Sequence, residues 1–255
     1  MNNSDTLQTV ISAIQAQPAC ITEQTLPPLC CDIKDGDKIF MMGLDHSVTL
    51  PYLRMLAGVE PPVSGQISIL GTDYSASSQQ QRQQMRQKAG FVMKGGPLMS
   101  ALNGVENLLL AARYHQLGEE KELQERAKKI IAEFPLKADY RVLPAYMSIL
   151  QRRLLAIARP LMLNPQALFI DNPFDGLDQH QRIIMARYIS NMANQRKITL
   201  IVNSDDLYFA HSLAKRIIFC DHDEALVFDS WQSFHKCERE SIALLFKHEH
   251  ISRDG

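Results

Sequence analysis

The sequence predicts an α/β protein built on a parallel sheet, and two features carry that prediction. One is the run Ala167-Leu168-Phe169-Ile170, apolar throughout and of the length of a strand buried on both faces. Strands of that kind belong to parallel sheets with helices on either side. The other is the residue that ends the run, Asp171. In open α/β sheets ligands sit outside the carboxyl ends of strands, and an acid there can hold Mg²⁺ directly or through a bound water.

Bulk composition narrows the class. The chain has 255 residues, 45% of them hydrophobic and 22% charged, an ordinary soluble globular mix with ample core. A net charge of −1 gives no broad footprint for nucleic acid. No apolar run approaches the length of a membrane span. The start, MNNSDTLQTVISAIQ, has no basic segment and no long apolar segment, so no signal peptide is expected. The five cysteines form no C-x-x-C pair, which suits buried, reduced thiols in a cytosolic protein.

Taken in order, residues 9–16 admit a short strand or a short helix. Pro27-Pro28 breaks the chain, and residues 29–33 read as an edge strand. Asp35-Gly36-Asp37 is a turn, followed by a strand over Lys38–Met42 that runs into Gly43. Pro51 is expected in the first turn of the next helix, where its missing N–H costs nothing. Residues 60–65 read as a turn, 66–70 as an alternating strand, and 71–73 as a hairpin-like return. The Gln-rich stretch 78–88 reads as a solvated helix, and 90–94 as a strand. Glu106-Asn107 opens an amphipathic helix, and residues 119–134 form another. After Asp171, residues 179–193 carry helical spacing through Ile183, Ile184, Ala186, Ile189 and Met192. Residues 197–203 are a second buried strand, 210–215 a helix, and 216–220 a strand. The cluster Asp221-His222-Asp223-Glu224 is not read as a metal site, because its spacing lacks a ligand scaffold. A small strand and a C-terminal helix finish the chain, with His248 and His250 facing solvent.

Several stretches together resemble the ATPase subunits of ABC transporters. NPQALFIDNPFDGLD (164–178) is similar to their Walker B strand and D-loop, usually apolar residues, Asp-Glu-Pro, and a loop ending Leu-Asp. GLDHSVTLPYLRMLAG (43–58) resembles the Walker A segment, with Gly43 at the first glycine and Leu53-Arg54-Met55-Leu56-Ala57-Gly58 matching the helix that follows. The stretch 57–71 resembles A-G-x-x-P-P-x-S-G-x-I-x-x-x-G. Tyr146 to Arg153 overlays the signature L-S-G-G-Q, in a register fixed by Ala156-Ile157-Ala158-Arg159. GGPLMSALNGVENLLLAARYH (95–115) resembles a segment commonest in the Mce-associated, Mla-like lipid-trafficking type. The resemblance implies one nucleotide-binding domain over 1–255 with a RecA-like P-loop NTPase core of the ABC type. That core would cover about 1–93 and 159–225. A small N-terminal β-subdomain, a helical subdomain at about 94–158 and an extension over 226–255 complete it.

The residues that carry the family's chemistry differ. In the Walker A frame the later glycines are His46 and Val48, the lysine is Thr49 and the Mg²⁺-binding hydroxyl is Leu50. A phosphate cradle needs glycines so that successive N–H groups turn inward, and β-branched Val48 disfavours positive φ. Asp45, beside Ser47, adds negative charge where phosphates would lie. The Q-loop glutamine is Lys94, the catalytic glutamate is Asn172 and the switch histidine is Ser204. The signature reads Ser148-Ile149-Leu150-Gln151, with bulky side chains at both glycines, which are expected simply to pack at a helix start. Residues 1–39 hold no aromatic to stack adenine. Asp171 and Asp178 remain, Asp171 as a vestigial Mg²⁺ position.

By resemblance, ATP sites in this family are composite, and here both halves are altered. Pairing with an intact partner would restore neither site, and a homodimer would have two dead ones. The expectation is a pseudo-ATPase: a scaffold or regulatory subunit with no catalytic residues and no required cofactor, ATP and Mg²⁺ binding at most weakly. It would pair with itself or with another ABC subunit. It would meet a permease's coupling helix at the inner face of the cytoplasmic membrane, touching the membrane only through that partner. Two alternatives stand: an active ATPase with Lys94 as substitute cation, and a soluble module with no permease.

Overall fold

The computed structural model describes residues 8–20 and 25–248. A six-stranded sheet in the order β10-β9-β3-β8-β7-β6 forms the centre. Its members are β3 (Lys38–Met42), β6 (Ala89–Val92), β7 (Ala167–Asp171), β8 (Thr199–Asn203), β9 (Arg216–Cys220) and β10 (Ala225–Phe228). All neighbours are parallel except β9 and β10, which form an antiparallel hairpin. Every residue of β7 and β8 is buried, which is why each carries an apolar run, 167–170 and 200–202, rather than an alternating pattern.

A second, antiparallel sheet, β2-β1-β4-β5, contains β1 (Thr9–Pro18), β2 (Leu29–Lys34), β4 (Pro62–Ile69) and β5 (Thr72–Asp73). The ambiguous residues 9–16 are therefore strand, and 29–33 lie on a sheet edge as expected. The expected turn over 60–65 is corrected, because β4 already begins at Pro62. Gly65 lies within it at φ +78, where a Cβ would strike the backbone at Gln15. Gln15 itself has φ +49, and the β1–β4 register shifts between Ile14 and Gln17. A bulge thus lets the two backbones approach closely, and only glycine fits opposite it.

The helices are α1 (His46–Leu56), α2 (Gln79–Lys88), α3 (Gly104–Tyr114), α4 (Glu120–Ala132), α5 (Ile149–Ala158), α6 (Gln179–Arg196), α7 (Leu207–Leu213), α8 (Trp231–His235) and α9 (Glu240–His248). Their starts are chemically marked. Ser78, Asn103, Ser148 and Asp178 each cap a helix reciprocally with a Gln or Glu at its third residue. α7 starts earlier than the expected 210, because Asp206 accepts the N–H of Phe209 at 3.2 Å and caps it. Pro51 also departs from expectation. The helix begins at His46, so Pro51 lies beyond its first turn, with no N–H to offer the Ser47 carbonyl.

One hydrophobic cluster joins one face of the central sheet to α3, α4, α5, α6 and the C-terminal helices, through Phe40, Ile170, Leu108, Leu154, Ile189 and Phe246. Another lies between the other face and the antiparallel sheet, through Met41, Phe169, Ile201, Tyr52 and Ile11. The central sheet is therefore covered on both sides, and its carboxyl ends open where β3, β7 and β8 stop. The side chain of His248 and the whole of His250 lie outside the described residues.

Candidate functional site

Asp171 ends β7 and is 3% exposed, and its carboxylate sits at the carboxyl edge of the sheet. Taking a carboxylate out of water is costly unless its oxygens find donors. Three groups supply them. Nε2 of His46 lies 2.8 Å from Oδ1, and Nδ2 of Asn203 donates to the same oxygen at 2.9 Å. The backbone N–H of Lys94 donates to Oδ2 at 3.3 Å. Asn203 reaches it because β7 and β8 run parallel with Asp171 opposite Asn203. His46 reaches it from the start of α1, just past the end of β3.

The segment from 43 to 50 is strand end, cap and helix. Gly43 is required, because a Cβ there would collide with the Cys220 carbonyl oxygen. Asp45 takes extended angles, φ −131 and ψ 122, and accepts the Ser47 N–H at 2.7 Å. That bond is the first cause holding its carboxyl below the usual value of 3.8, with the nearby His222 and His46 adding to it. Val48 packs into the cluster under the antiparallel sheet, and Thr49 is 2% exposed. The Thr49 hydroxyl faces the His46 carbonyl at 3.4 Å. Leu50 lines a cleft of about 490 Å³ with Asp45, His46, Ser47 and Pro51.

Lys94 follows β6, and its ammonium lies 4.0 Å from Asp175 Oδ2. Asn172 has φ +42, a left-handed conformation that asparagine tolerates, and its N–H donates to the Asn203 carbonyl at 2.8 Å. Ser204 is buried. Its N–H donates to the Met41 carbonyl at 3.1 Å and its hydroxyl accepts the Asp206 N–H at 3.2 Å. So Ser204 is engaged in the turn before α7. Among the described residues no group of three or more His, Cys, Asp and Glu side chains is placed to hold a metal ion.

Comparison with known proteins decides the family. A family model described as ABC transporter matches residues 48–175. The lipoprotein-releasing system ATP-binding protein LolD of Leptospira interrogans is 31% identical over 193 residues, 74% of this chain and 80% of that protein. This chain belongs to the ABC transporter family. Another relative, the arginine transport ATP-binding protein ArtP of Haemophilus influenzae, is 25% identical over 89% of this chain and 93% of its own length. The fold superposes on the ATP-binding cassette MJ0796, a dimer in a post-hydrolysis state bound to ADP and Pi. The TM-score is 0.76 at 20% identity, covering 86% of this chain and 98% of that one. The structure of cbiO1 from Clostridium perfringens, part of the ABC transporter complex cbiONQ, gives 0.77 at 18% identity, over 89% and 91%.

Within this ABC-family chain, the stretch aligned with the signature is a helix cap. Ser148 Oγ accepts the Gln151 N–H at 3.2 Å, and Gln151 Oε1 accepts the Ser148 N–H at 2.7 Å. Leu150 is buried, which agrees with packing at a helix start. Ile149 corrects that expectation, since it is 43% exposed. Asp178 caps α6. A residue the motif reading passed over is Arg153, one turn into α5. It is buried, and its Nη2 donates to the Asp175 carbonyl at 3.0 Å, tying α5 to the loop after β7. The doubled arginine at 152–153 was the available signal.

Proposed function

We propose that this chain is a non-hydrolysing nucleotide-binding-type subunit of an ABC transporter. It acts as a scaffold or regulator of a membrane permease, paired with itself or with a second ABC subunit. The observation that carries this reading is the engagement of Asp171. Its carboxylate is already held by the His46 imidazole, the Asn203 amide and the Lys94 N–H. A Mg²⁺ ion would have to compete for those same oxygens.

The surrounding residues support the same reading. Leu50 has no oxygen to ligate a cation, and Thr49 brings no charge. α1 begins at His46, so residues 46–50 are helix rather than a loop of inward-turned N–H groups. The ionised Asp45 opposes a phosphate there. The residues present do not fit a magnesium–triphosphate group.

The association with a permease rests on the family and on relatives whose names place them in transport systems, LolD and ArtP among them. Among the described residues no helix is long and apolar enough to cross a membrane. In this proposal the chain reaches the inner face of the cytoplasmic membrane through its permease. A lipid-type cargo is the class we favour, on the wording of residues 95–115.

Equilibrium titration of the purified chain with labelled ATP and Mg²⁺, together with a phosphate-release assay, tests the reading. The expected result is no saturable binding at micromolar ATP and no turnover. Micromolar affinity with turnover lost in Lys94→Ala would instead establish an ATPase that uses Lys94 as its cation.

A further inference from the structure

The cleft against α1 has a chemistry of its own. It encloses about 490 Å³, and its lining includes Leu26, Leu50 and Pro51 on the apolar side. Cavities of a few hundred Å³ with apolar walls and a few convergent polar groups are the usual form of a small-molecule site. This one also lies at the carboxyl end of β3, on the edge of an α/β sheet where ligands bind.

Its charges select the class of ligand. Arg54 and Glu60 both line the cleft and form an ion pair at 2.9 Å, so they cancel. His46 is turned onto Asp171. His222 lines the cleft too, near enough to Asp45 to favour its ionised form. Among the described lining residues Asp45 is the carboxylate with no salt-bridge partner, and the Ser47 N–H keeps it ionised. The N-terminus of α1 brings about half a positive charge to the cleft, which the full charge of its cap Asp45 outweighs. A phosphate group entering therefore meets net negative charge, whereas an ammonium or amidinium group is attracted.

We propose that this cleft binds a small amphipathic cation, with its ammonium or amidinium group against Asp45 and its apolar body on Leu26, Leu50 and Pro51. The proposal rests on the reading that the cleft does not serve a triphosphate.

Charge-swapped probes of one shape test it. Phenethylamine and hydrocinnamate are titrated calorimetrically into the wild-type chain and into Asp45→Asn, at about pH 8, where an ordinary imidazole is neutral. Asparagine caps helices as well as aspartate does, so the variant keeps α1 while losing the charge. The expected result is at least about tenfold tighter binding of the amine than of the acid by wild type, a preference Asp45→Asn abolishes. Equal binding of the two probes, a preference that survives in Asp45→Asn, or no amine binding at millimolar concentration would each overturn the proposal. A competition arm separates the two readings. Displacement of bound amine by micromolar ATP and Mg²⁺ would show that the cleft takes a triphosphate, and would overturn this proposal together with the reading it rests on. Failure of the amine arms with ATP also unbound would remove this proposal alone.

Discussion

His46 and Asp171 stand 125 residues apart in the chain, yet Nε2 of the one lies 2.8 Å from Oδ1 of the other. The imidazole is about one-third exposed and the carboxylate almost fully buried, so the contact caps the sheet edge from the solvent side. It ties the start of α1 to the end of β7, with Asn203 of β8 on the same oxygen.

Removing the imidazole leaves a buried carboxylate with fewer donors. His46→Ala is expected to cost about 1–3 kcal/mol in urea denaturation. Asp171→Asn removes the charge together with its need for partners and is expected to cost less. The two changes share one contact, so their double-mutant cycle is expected to show coupling of about 0.5–3 kcal/mol. Strict additivity would mean the contact contributes nothing in solution.

The two residues at the signature glycine positions part company. Leu150 is buried among core residues while Ile149 reaches solvent. Leu150→Ala should cost about 2–5 kcal/mol, as a core truncation does. Ile149→Ala should stay within about 0.5 kcal/mol, as at an ordinary surface site. Denaturant midpoints of the two variants check this, and equal losses would refute the packing described.

Thiol chemistry should separate the cysteines. Burial pushes Cys31 up to about 12 and raises Cys220 well above its usual value, so both thiols stay neutral. Cys30, one residue away from Cys31, is exposed. Brief alkylation of the native chain at mildly alkaline pH, read by mass spectrometry, should label Cys30 and spare Cys31 and Cys220 until denaturant is added. Rapid native labelling of Cys220 would contradict its burial at the end of β9, in the cluster under the antiparallel sheet.

Acid sensitivity should trace in part to Asp45. Its folded value is depressed, so its contribution is fully present above the unfolded value and is lost as pH falls through the folded one. Wild type should therefore lose stability on acidification below the ordinary carboxylate range more steeply than Asp45→Asn. Identical acid limbs in chemical denaturation would show that the Ser47 bond does not shift Asp45.

Much of the architecture was legible because it is local. The runs at 38–42, 167–170 and 216–220 announce buried strands by length and apolarity, and the apolar spacing over 179–193 announces α6. The site was less legible because its decisive contacts are long-range. Nothing near His46 in sequence says that its ring ends on Asp171, and Asn203 becomes a partner only through the β7–β8 register. Pro51 misled for a related reason. Proline favours a helix start, but Asp45 had already capped this one. Ile149 misled because a bulky residue at a glycine position reads as filler, while the helix start it occupies faces outward.

In the proposed reading His46 takes the place of a metal ion as the partner of Asp171. Its most direct test is a crystal structure of the chain grown with Mg²⁺ and a non-hydrolysable ATP analogue. The expected result is an intact contact near 2.8 Å between His46 and Asp171, with no phosphate density over residues 45–50. Phosphates lying on that segment, with Mg²⁺ at Asp171 and the imidazole displaced, would contradict it.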